Sequence, residues 1–171
     1  MRQCRRTRIP RKTPSTDGFV TPADVARQVR KDLDLSPGPV GDLVAVLERA
    51  GAIILRRDLG TEQLDAISQW PTGDRPLFLV NASAPYDRVR FTLAHELGHS
   101  VMHRLPEDAH EDQADRFASE FLLPARDIRD ELSPPLTIPR LADLKQRWGT
   151  PMAALVRRAR DLGKINDYQY R

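Results

Sequence analysis

Apolar positions recur along this chain with two periods, one helical and one of strands. After Thr21-Pro22, an N-cap with proline at the first helical position, Val25, Ala26, Val29 and Leu33 follow at helical spacing. "SPGPVG" breaks that helix. Leu43, Val44, Val46, Leu47 and Ala50 predict a second, stopped by Gly51. The runs "AIILRRD", "AISQW" and "PLFLVN", separated by turn residues, predict three strands of a small antiparallel sheet. From about Tyr86 the helical period returns. Phe91 to Arg104 holds no proline, and Pro106 ends the segment. In "HEDQADRFASEFLLP" the stripe Ala114, Phe117, Ala118, Phe121 and Leu122 is closed by Pro124. Beyond the connector "SPPLTIP", the stretch "RLADLKQRWGTPMAALVRRARDLG" predicts two short helices meeting at Gly149-Thr150-Pro151, and "INDYQYR" a last turn. The predicted fold class is α+β: mainly helical, with a small three-stranded antiparallel sheet packed on the helical segment that carries His95, Glu96 and His99. Three regions follow: a disordered basic tail over 1–20, a core over 21–135, and a helical, helix-turn-helix-like subdomain over 136–171.

Composition narrows the class. A length of 171 residues suits one domain, 40% hydrophobic residues can supply its core, and 30% charged residues suit a soluble surface. No apolar run approaches the ~18 residues of a membrane span. The arginine-rich start is followed by no apolar h-region, so no secretory signal is expected. The single cysteine, Cys4, cannot form an internal disulfide, which fits a reducing cytoplasm. Charge is unevenly placed. Arg2, Arg5, Arg6, Arg8, Arg11 and Lys12 stand in a start without acids; without them, 21 cations face 24 acids, a net −3. The basic character therefore belongs to the tail, which reads more readily as a solvated arm than as a nucleic-acid contact.

Histidine use changes the picture further. Of 4 histidines, three lie within "FTLAHELGHSVMHR". His95 and His99, at i and i+4, project from nearly the same side of a helix, about 6 Å apart along its axis. Two imidazoles so placed can share one Zn²⁺. Glu96 points about 100° away around the helix. It cannot share the ligand direction, but it can reach a water at an open coordination position and act as general base. This is the H-E-x-x-H signature of zinc metalloproteases. An incidental pair of surface histidines would not explain their setting among Phe91, Leu93, Ala94, Leu97 and Val101. His103 lies about 12 Å up the axis from His95 and about 80° around, with no glycine at Ser100, Val101 or Met102 to bend the chain back. It reads as structural.

The third ligand is expected from the next helix. Glu107, Asp108, Glu111, Asp112, Asp115 and Glu120 are the acidic candidates. Glu111 stands three residues before Ala114 and extends the apolar stripe by a turn, whereas Asp112 and Glu120 are expected to face solvent. A carboxylate on a buried face needs a partner, and a metal is one. His110, near the same stripe, is the alternative. Asp115 follows one turn after Glu111 and could hydrogen-bond the outer nitrogen of His95 or His99. His95, His99 and Glu111 with a water would be a catalytic His₂Glu set; such a set accepts Mn²⁺ or Fe²⁺ as well as Zn²⁺.

"RFTLAHELGHSVMH" followed by "EDQADRFASEFLLP" resembles the ImmA/IrrE family of metallopeptidases. Members show an HELGH helix with a further histidine four residues on, then an E-x-x-A-x-x-F-A…L-x-P segment. The resemblance continues through "LADLKQRWGTPMAALVRRARDLG" and covers about residues 22–171. It implies a gluzincin-like protease core, zinc as the metal, His95, His99 and Glu111 as ligands and Glu96 as base. It also implies a substrate class, helix-turn-helix repressors of stress genes or mobile elements, here met as a separate partner.

Two other classes compete. Residues 140–171 are rich in Lys and Arg, and the break at "WGTPMAALVRR" is helix-turn-helix-like, so a DNA-binding transcriptional regulator with a non-catalytic or structural metal site is the alternative. Packing of Leu141, Leu144, Trp148, Met152, Leu155 and Val156 on the core explains the same residues. A structural zinc site closed by four Cys or His ligands does not suit one cysteine and no C-x-x-C.

Overall fold

Thr21 opens the first helix, α1 (Pro22–Asp32), through a capping box. Its hydroxyl accepts from the Asp24 amide at 3.2 Å, and the Asp24 carboxylate accepts from the Thr21 amide at 2.9 Å. The computed structural model describes residues 8–11, 20–61, 64–71, 74–103 and 110–170. The second helix, α2 (Leu43–Arg49), is capped by Asp42, and Gly51 turns the chain at a φ of +100°. Strands β1 (Ile53–Arg57), β2 (Ala66–Gln69) and β3 (Leu77–Asn81) follow.

The sheet is mixed, where a purely antiparallel one was expected. Its order is β1-β3-β2: β3 runs parallel to β1 and antiparallel to β2. Phe78 and Val80 make β3 the strand with the largest buried side chains, so it takes the centre. The more polar β1 and β2 become the edges. Short apolar runs reveal strands but carry no signal of pairing direction.

The long helix α3 (Tyr86–Met102) packs on β2 and β3 and on α4 (Glu111–Leu122). Leu93, Ala94 and Leu97 of α3 are fully buried, as are Ala114, Phe117, Ala118, Phe121 and Leu122 of the expected stripe. Helix α3 ends at Met102, two residues earlier than expected; Arg104 and Pro106 lie outside the described residues. The chain continues through α5 (Ala125–Ile128), α6 (Ile138–Trp148), α7 (Met152–Asp161) and α8 (Asp167–Tyr170). Leu141, Leu144, Trp148, Leu155 and Ala159 join the same hydrophobic core as the sheet and α3. Gly149 separates α6 from α7 at a φ of +61°. Any Cβ there would meet Arg90 Nε at 2.8 Å. That guanidinium donates to the carbonyls of Gly149 (3.0 Å) and Val40 (2.8 Å), tying the α6–α7 turn to the approach to α2.

Residues 8–11 depart from the disordered arm expected over 1–20. Ile9 is buried, and the Arg8 amide donates to the Ala50 carbonyl at 2.7 Å. The Arg11 guanidinium stands 4.4 Å from the Trp70 ring centroid and donates to the Trp70 carbonyl at 2.9 Å. An apolar side chain between two arginines with ready partners is enough to seat the segment. Positions 1–7 and 12–19 of that expectation lie outside the described residues. No helix among the described residues is long and apolar enough to cross a membrane.

Candidate metal centre

The i, i+4 pair on α3 converges as helix geometry requires. The Nε2 atoms of His95 and His99 lie 3.0 Å apart. Across the α3–α4 crossing, Glu111 places Oε2 at 3.3 Å from His95 Nε2 and Oε1 at 3.1 Å from His99 Nε2. The crossing is close because Gly98 has no side chain: a Cβ there would lie 3.0 Å from Phe117 Cδ1. His95, His99 and Glu111 are thus a group of three side chains each offering a ligand atom to one point.

Glu111 reaches that point for a reason other than the one its position in the stripe suggested. Its side chain is 63% exposed, at the first turn of α4, on the wall of the cleft. Glu120, expected to face solvent, is buried instead; it pairs with Arg158 and, at 3.2 Å, with Arg27. Asp112 is exposed and pairs with Arg116 at 2.7 Å. His110 stacks face to face on His103, with ring centroids 3.9 Å apart.

The outer hydrogen bonds are those of one tautomer of each ring, the one metal ligation requires. The Asp115 carboxylate can only accept, so at 2.9 Å it takes the Nδ1 proton of His95. Gln113 Oε1 accepts from His103 Nε2 at 3.2 Å, leaving His103 Nδ1 as an acceptor for the His99 Nδ1 proton at 3.1 Å. In those tautomers, with both rings neutral, the two Nε2 atoms present lone pairs side by side, facing a carboxylate. A cation at their shared point would satisfy all three groups at once. Their separations of 3.0, 3.1 and 3.3 Å match donor spacing around a small ion. A tetrahedral ion with bonds of ~2.0–2.1 Å has edges of about 3.3 Å.

Electrostatics follow from the same contacts. Burial would lower the His95 imidazole, but the Asp115 hydrogen bond and the negative charges of Asp115, Glu111 and Glu96 outweigh it and raise its pKa. Burial, helped by neighbouring His95, pushes His99 down. The His95 hydrogen bond, with Arg157 beyond it, holds the Asp115 carboxyl below its ordinary range against the opposing effect of burial. Glu96 is raised by burial and restrained by Ser68, whose hydroxyl donates to Oε2 at 2.5 Å.

Ser68 was not a candidate from sequence; nothing in "AISQW" marks it, and only the β2–α3 contact brings it to Glu96. A cleft of about 560 Å³ runs between β2 and α3, with Ser68, Trp70, Glu96, His99, His103 and Glu111 among its walls. His103 therefore orients His99 and also borders the cleft.

No curated protein matches the chain significantly. The family profile described as the IrrE N-terminal-like domain, a peptidase family, matches residues 47–160, which span β1 to α7 and every residue of the centre. With two thirds of its length inside that match and its His-His-Glu group at one point, the chain belongs to the IrrE N-terminal-like family of peptidases.

Proposed function

We propose that the protein is a zinc-dependent endopeptidase in which His95, His99 and Glu111 hold the ion and Glu96 is the general base. The convergence of those three side chains beside a half-buried carboxylate carries the reading. The donor set suits Zn²⁺ and also accepts Mn²⁺ or Fe²⁺. A divalent ion held there would supply Lewis acidity, polarising the scissile carbonyl and acidifying water. Glu96 takes the proton from the attacking water and delivers it to the departing amine. Ser68, donating to Oε2, leaves Oε1 to carry that proton. Burial keeps the Glu96 carboxyl more basic than usual, which suits proton transfer near neutral pH.

The substrate is a helix-turn-helix repressor, bound extended and cut in a linker or a loosely held helix. The resemblance of the two motif segments to ImmA/IrrE metallopeptidases supports this class. Among the described residues strand β2 is an edge of the sheet, and its Ser68 and Gln69 line the cleft, so an extended peptide can add to it as a strand. Folded domains do not thread into such a cleft, so the cut falls where local unfolding is cheap. A cytoplasmic setting accords with that partner.

A DNA-binding role is less well supported. Lys145 pairs with Asp87, Arg147 with Glu131, Arg157 with Asp115, Arg158 with Glu120 and Arg160 with Asp167. Cations already matched to carboxylates contribute little to phosphate binding. The deciding experiment mixes metal-loaded protein with the repressor encoded beside it and with casein, and maps products by mass spectrometry. A single cut in the repressor supports the reading. Casein digestion with an intact repressor points to a general protease, and operator retardation without cleavage to the regulator.

A further inference from the structure

The Asp115 carboxylate is held from both sides. Its Oδ1 accepts from His95 Nδ1 at 2.9 Å, and its Oδ2 accepts from Arg157 at 2.8 Å. Arg157 belongs to α7, far along the chain from both helices of the centre, and lies outside the two segments that carry the metal motif. Its neighbour Arg158 explains how it arrives there. That side chain is buried, pairs with Glu120 of α4 and donates to the Leu123 carbonyl at 3.0 Å, which ties α7 to the C-terminal end of α4. With Arg158 pinned two turns farther down α4, Arg157 stands over the Asp112–Asp115 turn. It contacts Asp112 only at 3.6 Å.

We propose that Arg157 is a positioning residue of the metal centre: it holds the Asp115 carboxylate in the rotamer that orients His95. The inference rests on the metal-ligand reading of His95. The torsion that turns a carboxylate about its own axis is soft, so one hydrogen bond leaves its plane free to swing. A guanidinium on the far oxygen removes that freedom. The imidazole ring then keeps Nε2 aimed at the point shared with His99 and Glu111. Arg157 cannot act by making His95 a richer donor, because a cation beside Asp115 draws charge away from the imidazole. Geometry and electronics therefore predict opposite signs. Loss of Arg157 weakens metal binding if it positions, and leaves it unchanged or stronger if it acts only through charge.

The test is zinc affinity of the full chain, measured by competition with a chromophoric chelator. Arg157→Ala is expected to bind zinc about tenfold more weakly, at the lower end of what outer partners contribute. Arg157→Lys should recover most of that loss, since it restores a donor to Oδ2. Asp112→Ala, which breaks the neighbouring ion pairs and spares Asp115, should bind like wild type. Metal-free Arg157→Ala should melt with the wild type; if it does not fold, Arg157→Gln replaces it. Unchanged or tighter zinc binding in Arg157→Ala or Arg157→Gln overturns the proposal. So does an equal loss in Asp112→Ala, which would mean helix docking alone. If the wild-type chain binds no zinc, the metal reading itself fails, an outcome distinct from either.

Discussion

Gly98 and Phe117 touch where α3 crosses α4: a Cβ on Gly98 would stand 3.0 to 3.2 Å from three atoms of the Phe117 side chain. The glycine of HELGH thus serves the crossing and brings Glu111 within reach of the histidines. Gly98→Ala gains helix propensity but overpacks a fully buried ring. The expected net cost is about 1 kcal/mol, and more for Gly98→Val. Urea unfolding measures it, and zinc affinity should fall in the same order as α4 is pushed away.

Glu111 and Asp112 are adjacent carboxylates with different work. Glu111→Ala is expected to weaken zinc binding about a hundredfold or more, beyond the ~10–100-fold that outer partners cost. Asp112→Ala should leave it intact, because Asp112 faces Arg116. Chelator treatment should abolish proteolysis and added zinc restore it. Equal loss in the two variants would mean the wrong carboxylate has been assigned.

Glu96→Gln should keep metal and fold yet lose hydrolysis by about 10²–10⁴-fold, because an amide cannot accept the proton. A variant that cleaves like its parent removes Glu96 from the chemistry.

Ser68→Ala tests the other half of that carboxylate. The hydroxyl stabilises the charged form of Glu96, opposing the upward push of burial. Without it the pKa rises further. The base is active only when deprotonated, so the acid limb of the rate profile should move to higher pH, with the alkaline limb unmoved. A profile that does not shift would show that Ser68 does not set the base.

At α1 the prediction concerns stability. The Asp24 carboxyl is lowered from 3.8 to about 2, chiefly by the Thr21 side chain and then by its backbone. A depressed folded pKa contributes stability that is present above the unfolded value and lost as pH falls through the folded one. Thr21→Ala should cost about 1 kcal/mol at neutral pH. Its difference from wild type should shrink between pH 3.8 and about 2, as Asp24 protonates. Denaturant melts across that range check the sign.

What could be read from sequence was local. Helix periodicity, the Thr21 cap, the Gly149 break and the i, i+4 spacing of His95 and His99 depend on residues within a turn or two of one another, and backbone geometry alone carries them. The mixed sheet was not legible, because strand direction depends on which partner buries Phe78 and Val80. Periodicity points to Glu111 as an acid on the buried face, and the fold differs: Glu111 stays exposed in the cleft, and Glu120 is the acid taken inside by Arg158. Ser68 and Gln113 gave no signal, and Arg157 only that of a basic stretch, unrelated to the metal site. Each becomes meaningful only beside Glu96, His103 or Asp115. Directional contacts between distant segments select among otherwise equivalent polar side chains. Only tertiary packing decides which serine or arginine stands within 3 Å of the centre.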